Sequence, residues 1–153
     1  MRSGGIVLRG EELLVMFRRE NGREYYTFPG GQIEEGETPE AAVLREIREE
    51  TTIEVSDPQL VYELHRTGAL PREFFYRCSY RSGTPMLRED SIERAILDPE
   101  KNYFEPMWIP ISGLASNPLG IPLLPHEVTV RLFHDMQHGF QEKPVVLDGV
   151  PIV

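Results

Sequence analysis

A chain of 153 residues has the size of one domain, and 40% hydrophobic residues are enough to form a buried core. We therefore predict a single domain over residues 1–153. The formal net charge of −9 disfavours general affinity for nucleic acid or for an anionic membrane, because both depend on a basic surface. A single cysteine, Cys78, excludes an internal disulfide. No stretch is typical of a signal peptide or a membrane span, so a cytoplasmic location is expected by default.

The first elements predicted along the chain are β-strands. The apolar runs Ile6–Leu8 and Leu13–Phe17 are joined by the polar turn Arg9–Glu12, which predicts a β-hairpin. Tyr25–Phe28 predicts a further short strand. That strand leads into a loop with several glycines and acids, in which main-chain carbonyls can turn toward a cation.

A helix is predicted over Thr38–Thr51. Thr38 is a good N-cap, Pro39 suits the first helical position, and Glu40 lies where the helix dipole favours an acid. The apolar side is formed by Ala41, Ala42, Val43, Leu44 and Ile47. One side of this helix should therefore pack against the core while the other side carries acids.

Three acids of this helix, Glu46, Glu49 and Glu50, are spaced i, i+3 and i+4. Their carboxylates should leave one face within a single turn, where they repel one another. A divalent cation with a preference for oxygen ligands would relieve this repulsion. The alternative from charge pattern alone is a solvated acidic helix with pairs such as Arg45 with Glu49.

Downstream of the helix, Gln59–Arg66, Glu73–Arg81 and Met107–Ile111 predict strands, and Glu127–His138 predicts a final helix. The second of these strands alternates Phe74, Tyr76, Cys78 and Tyr80 with Phe75, Arg77, Ser79 and Arg81, so one side should be buried and the other basic. Cys78 is accordingly expected to be a strand residue and not a nucleophile. Mixed strands with two main helices indicate an α+β or α/β fold.

Two segments carry no assigned strand or helix. Ser82–Pro106 is long, charged and interrupted by prolines, and long loops in compact domains are often functional. The tail, Gln141–Val153, is short and apolar, and it could pack on the domain or on a second subunit.

The segment from Gly31 to Ile53 resembles the Nudix box, the signature of hydrolases that cleave nucleoside diphosphates linked to another group. Eight positions agree with the pattern of that box: Gly31, Glu37, Arg45, Glu46, Ile47, Glu49, Glu50 and Ile53. The departure is Thr52, which replaces the final glycine just past the helix. A β-branched residue in a left-handed backbone there costs about 1 to 2 kcal/mol, so Thr52 puts the helix exit in question.

The resemblance implies an α/β fold, a Nudix-type α/β/α sandwich with a mixed β-sheet. It also implies roles for residues of the box. Glu46 and Glu50 would be the principal ligands of Mg²⁺, or of Mn²⁺ in its place, with Glu49 as a further ligand or a water-activating base. The carbonyl of Gly30 would also bind the metal. Gly31 and the pair Glu37 and Arg45 would hold these ligands in place.

Nudix hydrolases often take an extra acid from the region after the box, and Glu93 is our first candidate for it and Glu105 the second. Arg18, Arg19 and Arg66 are candidates for binding phosphates of the substrate. The aromatic residues Tyr103, Phe104 and Trp108 could stack on a base, with Tyr103 our candidate for substrate binding and Trp108 more typical of a core position.

Three functions follow from the resemblance. The preferred one is a Mg²⁺-dependent hydrolase of a phosphoanhydride bond in a nucleoside diphosphate linked to another group. An isomerase of diphosphates is disfavoured, since that class uses a catalytic cysteine and Cys78 has no evident partner. A non-catalytic nucleotide-sensing or binding domain is the other alternative. The identity of the small-molecule nucleotide stays open, as does assembly, for which a homodimer is one alternative.

Overall fold

The computed structural model describes residues 1–66, 72–86, 102–115 and 120–149. The described residues form nine strands: β1 (Arg2–Arg9), β2 (Glu12–Glu20), β3 (Arg23–Thr27), β4 (Gly30–Gln32), β5 (Glu54–Arg66), β6 (Glu73–Ser82), β7 (Asn102–Pro110), β8 (Leu123–Leu124) and β9 (Val145–Gly149). They also form three helices: α1 (Pro39–Thr51), α2 (Ile111–Ala115) and α3 (His126–His138). The predicted strands and the two longer helices are all present, with bounds that differ by a few residues.

These strands belong to one mixed sheet. Its order is β8-β3-β2-β1-β6-β5-β9, with β4 added beside β1 and β7 beside β2. The hairpin of β1 and β2 is antiparallel, as predicted, whereas β1 with β6 and β5 with β9 are parallel pairs. The central parallel pair brings the start of β6 next to the start of β1, although these segments lie far apart in the sequence.

Two hydrophobic clusters cover the two faces of the sheet. On one face, Val43 and Ile47 of α1 pack with strand residues that include Leu14. On the other face, Val128 and Leu132 of α3 pack with a second set of strand residues. This arrangement is the predicted α/β sandwich with a mixed sheet.

Strand β2 decides which side chains face α1. Leu14 lies in the cluster under α1, whereas Leu13 and Val15 lie in the cluster under α3. Because side chains alternate along a strand, Arg18 points to the α1 face and Arg19 to the α3 face.

Strand β7 begins earlier than predicted. The sequence assigns 102–106 to a loop because of Pro106, but Asn102–Pro110 pairs with β2 along its whole length. Among the described residues β7 pairs with β2 alone, so it is an edge strand. A proline is tolerated there because its missing N–H can face away from the neighbouring strand.

The tail contributes β9 to the chain's own sheet. Val145–Gly149 pairs in parallel with Tyr62–Arg66 of β5. Packing on the domain, one of the two alternatives for this segment, is therefore realised up to Gly149.

Within the described residues, no helix has the length and the apolar character needed to cross a bilayer.

Candidate active site

Helix α1 begins and ends with well-defined caps. The Ala41 N–H donates to the Thr38 hydroxyl at 3.1 Å, and Pro39 follows as the first helical residue. At the other end Thr52 adopts the left-handed conformation, with φ of 62°, and its N–H donates to the Arg48 carbonyl at 3.0 Å. The threonine thus takes the backbone shape that the usual glycine would take, so the departure from the box leaves the helix exit intact.

Arg45 holds the loop and the helix together. Its Nε and Nη2 donate to the two carboxylate oxygens of Glu37 at 2.7 and 2.9 Å. Its Nη1 donates to Glu46 at 2.9 Å and to Glu49 at 3.2 Å, and Nη2 also donates to the Gln32 carbonyl at 3.1 Å. A single guanidinium therefore fixes three glutamates of the box, which only a forked donor can do.

The electrostatics of this group agree with its geometry. Hydrogen bonds from Arg45 and from the Glu34 N–H lower the pKa of Glu37 to about 2. The hydrogen bonds with Glu37, reinforced by the charge of Glu46, raise the pKa of Arg45 further above its ordinary value. Both groups stay charged at neutral pH.

Gly31 makes room for the carboxyl group of Glu46. A Cβ atom added at Gly31 would lie 2.5 Å from Glu46 Cδ and 2.6 Å from its Oε1, distances that real Cβ atoms do not adopt. A side chain at this position would displace the Glu46 carboxyl group from its place beside the loop, so the glycine lets the loop approach this carboxylate closely.

Glu50 is the buried acid of the site. It is 8% exposed, accepts a hydrogen bond from the Gly30 N–H, and lies within hydrogen-bonding reach of the Glu46 carboxyl. Its Oε2 has no hydrogen-bond partner among the described residues. Burial raises the pKa of Glu50 above its ordinary range, the charge of Arg18 opposes this, and Glu46 adds to it. A buried carboxylate with an unused oxygen has an unmet need for a positive partner.

Glu49 diverges from the other two acids. Its side chain is 48% exposed and points to solvent, where Arg45 contacts it. Among residues 1–66, 72–86, 102–115 and 120–149, no three acidic, histidine or cysteine side chains converge on a common metal position. The structure brings together Glu46, Glu50 and the Gly30 backbone. This smaller set fits Mg²⁺, which proteins commonly hold through one or two carboxylates together with substrate phosphates.

A pocket of about 410 Å³ opens beside Glu50, within the usual range for small-molecule sites. Its lining includes Arg2, Arg18, Tyr25, Thr27, Gly30, Glu50 and Phe104. Arg18 lies over the Phe104 ring at 4.7 Å and donates through Nε to the Thr27 hydroxyl at 3.1 Å. Among the predicted arginines and aromatic residues, Arg18 and Phe104 are therefore the ones that line the same pocket as Glu50. Arg2 was not predicted, because nothing in its local sequence marks it.

Arg19 and Tyr103 lie on the other face of the sheet. They are cross-strand neighbours in β2 and β7, and the Arg19 guanidinium lies 5.9 Å from the centre of the Tyr103 ring. The Tyr103 hydroxyl donates to Glu105 at 2.8 Å, so the second candidate for the extra acid is on this face as well. None of these three side chains lines the pocket beside Glu50.

The remaining candidates occupy different places. Arg66 lines a neighbouring pocket, where it lies beside Glu73. Trp108 packs against the cluster under α1, as expected of a core residue, and Cys78 is buried in β6. Burial raises the pKa of Cys78 to about 12, which keeps it a thiol and unsuited to nucleophilic attack. Glu93 falls outside the described residues.

Comparison with known proteins identifies the family. The family model described as the NUDIX domain matches residues 1–123, so this chain belongs to the Nudix family. The resemblance read from the box is thereby confirmed.

Similar proteins include two curated relatives. An RNA pyrophosphohydrolase of Actinobacillus succinogenes is 38% identical over 58 residues, which are 38% of this chain and 29% of that protein. A MutT-like protein of Streptomyces ambofaciens is 35% identical over 100 residues, which are 63% of this chain and 62% of that protein. The matched part of this chain thus spans less than two thirds of the length of either relative.

Among solved structures, a NUDIX hydrolase from Nitrosomonas europaea has a TM-score of 0.70 at 18% identity, covering 97% of this chain and 76% of that chain. A likeness at this identity shows the fold.

Proposed function

We propose that this chain is a metal-dependent hydrolase that cleaves a phosphoanhydride bond in a nucleoside diphosphate linked to another group. The observation that carries the proposal is the buried carboxyl of Glu50, whose Oε2 has no hydrogen-bond partner among the described residues and which lies at the wall of a pocket. Membership of the Nudix family and the intact acids of the box support it.

Glu46, Glu50 and the carbonyl of Gly30 would hold Mg²⁺, with Mn²⁺ as the closest substitute. When bound, the metal would neutralise charge on phosphoryl oxygens and lower the pKa of a bound water. Arg45 keeps Glu46 in position through the hydrogen bond of 2.9 Å. Glu49, exposed next to the site, can accept a proton from water, which is the role of a general base.

Arg18 would bind a phosphate that does not react. Its guanidinium lines the pocket next to Glu50, and Phe104 and Thr27 fix its direction. A forked cation at this place compensates the charge of a diphosphate, which an acidic chain must otherwise repel.

The test is hydrolysis of a substrate panel by the parent and by Glu50→Gln, each with Mg²⁺ and with a chelator. The panel holds nucleoside triphosphates, ADP-ribose, dinucleoside polyphosphates, sugar nucleotides and a short RNA with a 5′-triphosphate. The RNA is included because one relative is named an RNA pyrophosphohydrolase. The net charge of −9 favours the smaller nucleotides.

We expect release of phosphate or nucleotide only from the parent with metal. Equal rates in the parent and in Glu50→Gln would overturn the catalytic proposal, and binding without turnover would favour the alternative of a nucleotide-sensing domain.

A further inference from the structure

A second pocket, of about 170 Å³, adjoins the one beside Glu50. Arg2, Thr27, Phe28 and Gly30 line both pockets, so a molecule bound in one can extend into the other. The second pocket is smaller than a typical site for a whole ligand, which suits a single chemical group of a larger substrate.

Aromatic side chains form one wall of this second pocket. The rings of Phe28 and Phe75 meet edge to face with centres 5.7 Å apart, and both residues are nearly buried in the cluster under α3. Leu124 adds a further apolar surface. Aromatic and aliphatic walls of this kind favour an apolar planar ring over a sugar or a phosphate.

A charged pair forms the polar edge of the pocket. Arg66 Nε lies 3.7 Å from Glu73 Oε1, and the two side chains are 12% and 18% exposed. At this distance the contact is an ion pair without a hydrogen bond, so the carboxylate can still accept an N–H. The charge of Glu73 also offsets that of Arg66 and repels phosphate. Arg66 is therefore better suited to a neutral polar group than to the phosphate contact that the sequence predicts.

The backbone of β9 leaves space for this arginine. Gly149 is the cross-strand partner of Arg66, and a Cβ atom added there would lie 3.0 Å from Arg66 Cγ and 3.3 Å from its Nη1. The position of Arg66 is thus set by the packing of two strands and by Glu73, as expected for a side chain that recognises one geometry.

We propose that the second pocket is the nucleobase subsite, in which Glu73 accepts a hydrogen bond from a ring N–H and Arg66 donates to the adjacent carbonyl oxygen. The proposal rests on the proposed function in assuming that the substrate is a nucleotide. Guanine, hypoxanthine and uracil present a ring N–H beside a carbonyl. Adenine and cytosine present a bare ring nitrogen there, which would face the carboxylate as acceptor against acceptor.

The experiment is binding of nucleoside monophosphates, measured by calorimetry in the presence of a chelator so that neither metal nor hydrolysis contributes. GMP and IMP are compared with AMP, and UMP is compared with CMP. We expect about tenfold tighter binding of GMP, IMP and UMP than of their partners, the discrimination typical of one well-made polar contact. Equal binding of GMP and IMP would show that the 2-amino group of guanine is not what is recognised.

Glu73→Gln should reduce the preference to about twofold or reverse it, because an amide can donate to a bare ring nitrogen. Glu63→Gln is the matched control, since Glu63 is an ion-paired acid of the neighbouring strand that does not line the pocket. If Glu73→Gln does not fold, Arg66→Lys serves instead, because a lysine keeps the charge and loses the planar fork.

An unchanged preference in the folded variant would overturn the subsite, and so would equal binding of all five monophosphates by the parent or no saturable binding of any. These outcomes are separate from those for catalysis. A protein that hydrolyses nucleotides without base preference keeps the proposed function and loses this inference, whereas one that prefers GMP over AMP without turnover does the reverse.

Discussion

Two carboxyl groups are buried on opposite faces of the sheet, and they differ in what surrounds them. Glu50 on α1 has an oxygen without a hydrogen-bond partner in the described structure, and its pKa is raised chiefly by burial. Asp135 on α3 accepts from the Tyr62 hydroxyl at 2.7 Å and from Arg131 Nε at 3.0 and 3.1 Å. Burial alone therefore does not separate the acid that we propose as functional from the structural one; the unmet hydrogen-bonding capacity of Glu50 does.

The largest expected effect is on catalysis. Glu50→Gln should lower kcat for phosphoanhydride cleavage with Mg²⁺ at least about a hundredfold, because an amide binds a hard cation poorly and carries no charge. Asp135→Asn should leave kcat within about twofold, since α3 does not contribute to the pocket beside Glu50. Steady-state rates of the two variants measure this contrast, and a comparable loss in both would remove the distinction between the two acids.

A smaller loss of activity is expected from Arg45→Lys. Lysine cannot make the paired contacts of 2.7 and 2.9 Å with Glu37 while also holding Glu46 and Glu49. Loss of such a supporting contact typically costs about tenfold to a hundredfold in activity or metal affinity.

Activity measured as a function of Mg²⁺ concentration should show that Arg45→Lys needs more metal than the parent. Arg48→Lys is the matched control, because Arg48 lies on the same helix and, of the acids that the structure describes, its ion pair is with Glu54 outside the site. An unchanged metal requirement in Arg45→Lys would show that the hydrogen bonds of Arg45 do not position the ligands.

For the free energy of unfolding, the expected order of the two substitutions is reversed. Asp135→Asn should lower the free energy of unfolding by about 2 kcal/mol, because Tyr62 and Arg131 lose a charged acceptor in a buried place. Glu50→Gln should change it by less than about 1 kcal/mol, since the amide is similar in shape and removes a buried acid. Urea unfolding of both variants without metal tests this reversal, and a larger loss in Glu50→Gln would contradict it.

Low pH should reduce the contribution of Asp135 to the free energy of unfolding. Burial raises its pKa, but hydrogen bonds from Tyr62, His134 and Arg131 outweigh this, and the pKa in the folded state lies below the ordinary value. A lowered pKa means that the stabilisation is complete above the pKa of the unfolded state, about 3.9, and is lost as pH falls through the folded value. The difference in unfolding free energy between the parent and Asp135→Asn should be constant from about pH 7 to 5 and shrink below about pH 4. A difference that persists at about pH 2 would assign it to packing.

How much of the fold and of the candidate site could be predicted from the sequence depends on how far apart the interacting residues lie in the chain. The contacts of Arg45 join residues within one loop and one helix. The spacing i to i+4 predicts its pair with Glu49, and the resemblance to the Nudix box implies its pair with Glu37. The hydrogen bonds of Asp135 were not predicted, because Tyr62 lies on β5, far from α3 in the sequence, and meets it only in the folded chain. The helical periodicity of the sequence alone could not show that Glu50 and Asp135 would differ in their hydrogen-bond partners.

The arginines show the same limit. Adjacent residues of a strand must face opposite sides, so Arg18 and Arg19 could not both reach one site. Which of them does so depends on where α1 packs, and this is a tertiary property. The pocket of Arg2, Arg66 and Glu73 depends on the parallel pairing of β1 with β6, for which the sequence carries no local signal.

The smallest effect concerns the exit of α1, the helix that carries Glu50. Thr52→Gly removes the Cβ from a residue with φ of 62°, which should gain about 1 kcal/mol, and removes the hydrogen bond from Thr52 Oγ1 to the Thr84 carbonyl at 2.8 Å. Because that bond is exposed and contributes about 0.5 kcal/mol, the net expectation is a gain of about 0.5 kcal/mol in unfolding free energy with unchanged kcat. Thr52→Ala, which keeps the strain and loses the bond, should lower stability by about 0.5 kcal/mol. If urea unfolding shows Thr52→Gly to be less stable than the parent, the hydrogen bond matters more than the backbone strain, and the threonine is the better cap for this chain.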